Sequence, residues 1–165
     1  MTAQPIEHGS RQRAVLRGLL DRLVQRPWFR AAILVGSLAS DVDDELSDID
    51  LLVVVSEFSR AWRERGELEA RSAIVAWDAS PVQDRVGAHK WITRDLVLVE
   101  CLLGEPGAFR LAEPYELLAG DERILDAVPR RPRLTREQVR EGPPVDPIER
   151  AYDDFKNTVR ARQRI

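Results

Sequence analysis

Apolar positions along this chain follow two periods, and the switches between them outline the elements. From Arg11 to Gln25, Val15, Leu16, Leu19, Leu20 and Leu23 recur at helical spacing until Pro27, which predicts an amphipathic helix. Ala31 to Val35 is a short apolar run stopped by Gly36-Ser37, and Leu51 to Val55 is a second, so two strands are expected with a polar connection between them. Ser56 is expected to cap a helix running to about Glu69 or Arg71, with Phe58, Ala61 and Trp62 on one side and Gly66 weakening its end. Ala73 to Trp77 reads as a third strand, followed by a loop holding Pro81 and Gly87. His89 to Thr93 and Leu96 to Leu103 read as a hairpin, or as two short adjoining strands, about Arg94-Asp95.

The second half of the chain is more broken. Phe109 to Ala119 is expected to be helical or partly so, interrupted at Pro114 and ended at Gly120-Asp121, with a further short helix from Glu122 to Val128. Five prolines between 129 and 147 make residues 129–146 a linker of prolines and arginines. Asp146-Pro147 then opens a last helix, through 147–165, whose apolar stripe is Ile148, Ala151, Tyr152, Phe155 and Val159. Residues 1–10 show no element, and there is no internal repeat. The sum is an α+β domain over 11–128, a small mixed sheet of about four or five strands with helices mostly on one face, plus the C-terminal helix.

Composition narrows the class. At 165 residues with 44% hydrophobic and 32% charged positions, the chain reads as one globular domain with a real core. Its apolar runs are too short to span a bilayer, and the first residues lack a signal-peptide pattern. One cysteine, Cys101, precludes an internal disulfide and fits a reducing cytoplasm as the expected setting. Two histidines leave little for a zinc site. Residues 129–165 carry ten Lys and Arg against six Asp and Glu, a local +4 that leaves −7 for residues 1–128. An acidic body argues against broad nucleic-acid binding.

Charge also marks the candidate chemistry. Asp48 and Asp50 flank Ile49 at the mouth of the second strand, so alternation sends both to one side, about 6–7 Å apart along the chain. Two carboxylates entering a strand otherwise built for burial need a cation or strong donors, and magnesium, which takes carboxylate and phosphate oxygens together, is the natural partner. Gly36 lets the backbone approach a ligand closely, and Ser37 brings a hydroxyl and an N–H suited to phosphate. A calcium loop counted from Asp41 fails, with Leu46 in place of the sixth-position glycine and Leu52 in place of the twelfth-position glutamate. A solvated acidic loop accounts for Asp41 to Glu45 but not for two acids entering a strand behind a Gly-Ser turn. In Leu96 to Leu103, Glu100 is a lone carboxylate in an apolar strand and needs a partner too, either a metal or, were it at a strand edge, a salt-bridging arginine.

Gly36-Ser37, ten residues, then Asp48-Ile49-Asp50 resembles the signature of the nucleotidyltransferase superfamily typified by DNA polymerase β. The wording Ser47-Asp48-Ile49-Asp50-Leu51 is similar to that of its small bacterial branch, the aminoglycoside and lincosamide nucleotidyltransferases and the minimal nucleotidyltransferase antitoxins. Where that branch usually carries Arg-Gly, this chain has Ser40-Asp41. The resemblance covers roughly residues 11–128. It implies that Asp48, Asp50 and Glu100, with Asp95 as the alternative third acid, hold two magnesium ions, and that Gly36 and Ser37 bind the phosphates of a nucleoside triphosphate, ATP first. It further implies transfer of a nucleoside monophosphate to an acceptor hydroxyl, with Glu100 as general base and pyrophosphate released. Three functions follow from it: modification of a small molecule such as an antibiotic, transfer of AMP to a partner toxin, or a non-catalytic nucleotide-binding module. With one helix after residue 146, a protein acceptor or a pocket completed by a homodimer is the expected arrangement.

Overall fold

The computed structural model describes residues 11–40, 46–69, 71–83, 85–133, 135 and 146–163. The expected acidic loop Asp41 to Glu45, residues 1–10 and most of the linker lie outside the described residues. The chain divides into two units, Met1–Pro132 and Arg133–Ile165.

In the first unit, helix α1 (Arg11–Leu23) leads into β1 (Phe29–Val35), which pairs antiparallel with β2 (Ile49–Val55). Two short helices follow, α2 (Phe58–Glu64) and α3 (Gly66–Glu69), then β3 (Ala73–Gln83), β4 (Val86–Thr93), β5 (Leu98–Gly104) and β6 (Glu116–Gly120). They form one six-stranded sheet in the order β3-β4-β5-β2-β1-β6. Only β2 and β5 run parallel, and they are the central pair. The fold is α+β with a mixed sheet, one strand larger than expected.

The two faces of the sheet are separated by the alternation of side chains along each strand. Ala32, Leu34, Ile49, Leu51, Val53, Val55, Val99, Cys101 and Leu103 turn to one face and bury the apolar stripe of α1 (Leu16, Leu19, Leu20, Leu23) with Phe58, Ala61 and Leu68 of α2 and α3. Ala31, Ile33, Leu52 and Val54 turn to the other, where Phe109, Leu111 and Val128 cover them. Trp28, 1% exposed, closes the first core and donates its indole N–H to Glu64 Oε2 at 2.7 Å.

Three expectations are corrected. Phe109 to Ala119 is not helical. It runs from a single bridge between Leu111 and Arg130, through a bend at Glu113-Pro114, into β6, which pairs along β1. The physical reason is that Phe109 and Leu111 alternate into the second core while the backbone of 116–120 completes the β1 edge, and tertiary pairing overrides weak helical spacing. Pro81 and Gly87 lie within strands, not in a loop: β3 is an edge strand and tolerates proline. At Gly87 the missing Cβ is what allows Trp62 to lie flat on β4, since a Cβ there would stand 2.5 Å from the indole ring. Finally, Ser56 does not cap α2, which starts after Glu57; its hydroxyl donates to the Trp28 carbonyl at 3.4 Å. The short 3-10 turn Glu122–Ala127 stands where a short helix was expected.

Arg65, at the end of α2, is tied to β3 by a two-pronged pair with Asp78, at 2.8 and 2.6 Å. Asp78 Oδ1 also lies 2.8 Å from Nδ1 of buried His89, whose Nε2 faces Glu69 at 3.6 Å, beyond hydrogen-bond reach. The Arg65 guanidinium holds the Asp78 carboxyl below its ordinary range, with His89 adding to the effect and partial burial opposing it. A carboxylate depressed on folding contributes stability that is complete above its unfolded value, about pH 3.9, and is lost as the pH falls through the folded one. Asp78→Asn is therefore expected to cost about 1 kcal/mol at neutral pH, with the difference from wild type closing below about pH 4. Denaturant melts across that range check it; a difference that persists unchanged to about pH 2 rules out the charge.

The second unit contains helix α4 (Pro147–Gln163). Asp146 caps it by accepting the Ile148 N–H at 2.8 Å, with Pro147 at the first helical position. Within the helix Lys156 pairs with Asp153 at 3.0 Å and sits 4.8 Å from the Tyr152 ring centre.

Candidate active site

The site begins where β1 runs out. Val35 pairs with Asp50, and the next residue, Gly36, turns the chain with φ 74° and ψ −153°, a region essentially restricted to glycine. A Cβ on Gly36 would stand 2.3 Å from Asp50 Oδ2, so its bare backbone lies directly against that carboxylate. Ser37 to Ala39 then form one 3-10 turn. Ser40 closes this turn by giving both its N–H (3.1 Å) and its hydroxyl (3.0 Å) to the Ser37 carbonyl.

Asp48 precedes β2 by one residue, and Asp50 is the second residue of that strand; both are half-buried. The approach to Asp48 is fixed from below by Gln12 of α1, which is 2% exposed and donates its amide to the Ser47 carbonyl at 3.3 Å. Sequence reasoning passed over Gln12 because a single glutamine in a helix carries no pattern of its own.

Glu100 is the register partner of Asp50 across the central parallel pair. The two therefore share a face, and it is the face of Leu52 and Leu102, opposite α1, α2 and α3. On the next strand Lys90 is the register partner of Glu100, and its Nζ lies 2.7 Å from Glu100 Oε2. The Lys90 side chain is 9% exposed against 32% for Glu100, so this ammonium is held inside the sheet and not extended to solvent. Across the sheet the row runs Trp77, Lys90, Glu100, Asp50, Val35. Lys90 is the other residue missed at the sequence level. Asp95, the alternative third acid, lies in the turn between β4 and β5, where its carbonyl accepts from Arg11 at 3.3 Å.

The fold thus brings Gly36, Asp50 and Glu100 together, places Asp48 two residues before Asp50, and leaves Asp95 outside. Among the described residues no three acidic, histidine or cysteine side chains gather into a group able to hold a metal ion by themselves. Hard carboxylate oxygens beside an open glycine turn still suit magnesium, which is commonly held by one or two carboxylates with the remaining positions filled by water and substrate phosphates.

The model of the nucleotidyltransferase domain family matches residues 16–119, which run from within α1 through nearly all of β6 and cover more than half of the chain. No curated protein matches the chain at a significant level. Among the described residues no helix is long and apolar enough to cross a membrane.

Proposed function

We propose, from the premise that this chain belongs to the nucleotidyltransferase domain family, that it moves a nucleoside monophosphate from ATP to an alcohol hydroxyl. Family membership supports nucleotidyl transfer in general; the magnesium, the ATP, the acceptor and the roles of the residues are our reading. The observation that carries it is the contact of the Gly36 backbone with the Asp50 carboxylate, where a Cβ would come within 2.3 Å. The turn suited to phosphates and the carboxylate suited to their counter-ion are one packed unit, which is what a triphosphate-metal site requires.

Asp48 and Asp50 would hold magnesium together with the triphosphate. When bound, that ion neutralises phosphate charge and favours attack at the α-phosphorus. Gly36 and Ser37 would place the β and γ phosphates. The acceptor oxygen bonds to the α-phosphorus as the bond from that phosphorus to the bridging β-phosphate oxygen breaks, and pyrophosphate departs. Glu100, one strand beyond Asp50 on the same face and oriented by Lys90, would receive the hydroxyl proton. Little covalent work falls to the protein, so alignment by the β1 turn and the β2-β5 pair supplies most of the effect.

The decisive experiment incubates the protein with each labelled nucleoside triphosphate and magnesium, against alcohol-bearing small molecules in one arm and protein acceptors in the other, and follows pyrophosphate. A binding test precedes it. At a hundred times its Kd, ATP with magnesium is expected to stabilise the fold by about 2.7 kcal/mol, an effect that needs both components and disappears in Ser37→Trp. A melting temperature indifferent to millimolar ATP and magnesium would refute the nucleotide site.

A further inference from the structure

The row of side chains on the candidate catalytic face contains one cation, Lys90, beside the carboxylate that it orients. Lys90 stands in a strand whose other buried members are Gly87, Ala88, His89, Trp91, Ile92 and Thr93. An ammonium there is expensive unless a carboxylate meets it, and the carboxylate it meets, at 2.7 Å, is Glu100. A lysine kept only for solubility would extend its stem toward water. This one is directed along the sheet toward the acids, with Glu100 lying between it and Asp50.

We propose that Lys90 is the built-in second cation of the site: its ammonium takes the place beside Glu100 that a second divalent ion would occupy, and the chain works with one exchangeable ion, held by Asp48 and Asp50. The inference rests on the function proposed above and replaces the two-ion expectation drawn from the resemblance. A second divalent ion at Glu100 would have to bind beside the buried Lys90 ammonium, 2.7 Å from Oε2, and like charges that close oppose each other. The absence, among the described residues, of any three-acid group able to hold a metal agrees with the same division of labour. Lys90 is a positioning residue here. It fixes the Glu100 carboxylate through Oε2 and supplies fixed positive charge without a metal.

The test counts ions. The chain is saturated with a non-hydrolysable α,β-methylene ATP analogue and titrated with manganese, and free manganese is read by electron paramagnetic resonance. Wild type is expected to bind about one ion per chain, and Lys90→Met about two, because Glu100 then needs another cation. Lys90→Gln, which retains a polar head, is expected to behave as Lys90→Met does and serves if the methionine variant does not fold. Lys90→Arg is expected to stay at about one. A purely structural lysine would leave the count unmoved, so a neutral variant that binds no additional ion overturns the inference. Two ions on wild type overturn it as well, while leaving the nucleotidyltransferase reading intact. No ion and no analogue bound to wild type would defeat both.

Discussion

Asp50→Asn is expected to reduce nucleotidyl transfer by about a thousandfold or more while leaving the metal-free fold as stable as wild type. The first half follows from the position of Asp50, in contact with the Gly36 turn on one side and in register with Glu100 on the other. Asparagine keeps the shape but cannot neutralise a cation, and loss of one preorganised charge at a reacting phosphate typically costs about two to three powers of ten. The second half follows from electrostatics. Asp50 and Glu100 are like charges directly opposite each other on paired strands, an arrangement that costs stability, so removing one should raise the metal-free melting temperature slightly or leave it unchanged. Asp48→Asn should match it in turnover. Pyrophosphate release and thermal melts with and without ATP and magnesium provide the check. Turnover within tenfold of wild type in either variant would remove that residue from the site, and a collapsed fold in Asp50→Asn would mean its role is structural.

The sequence made the centre of the fold legible because burial there follows simple periods. Leu16, Leu19, Leu20 and Leu23 are buried where helical spacing put them, and β1, β2 and β5 appear within a few residues of their apolar runs. The contact of Gly36 with Asp50 was suggested only by the motif, since no periodicity links a turn to a strand thirteen residues on. Lys90 was hidden for a different reason. A turn made of Arg94 and Asp95 alone would have set Glu100 opposite His89, and a one-residue slip sends every side chain to the other face. The actual connection is longer: Thr93 accepts the Val97 N–H through its hydroxyl and donates its own N–H to the Val97 carbonyl, and Leu96 adopts a left-handed φ of 56°. That turn moves the register so that Lys90 meets Glu100. Phe109 to Ala119 was misread because its residues answer to partners far away in the chain. Leu111 is buried at 1% by the second core, and the backbone of 116–120 is fixed by β1.

Gly36→Ala should be the most damaging single-methyl change in the site, and the damage should depend on Asp50. Two costs coincide at this position. The backbone at φ 74° and ψ −153° strains any residue bearing a Cβ, by about 1–3 kcal/mol. The new methyl would also stand 2.3 Å from Asp50 Oδ2, so the carboxylate must leave the place where it meets the turn. Stability and the response to ATP with magnesium should therefore fall together, unlike in Asp50→Asn, where only the second is lost. Asp50→Ala separates the two costs. Its Cβ lies 3.4 Å from the added methyl, an ordinary contact, so in that background the alanine should cost only the backbone strain. Denaturant melts on the four proteins of this cycle measure the coupling directly. A cost for Gly36→Ala that is equal with and without the Asp50 carboxylate would mean that turn and carboxylate are not packed together. The observation on which the function proposed here rests would then be gone.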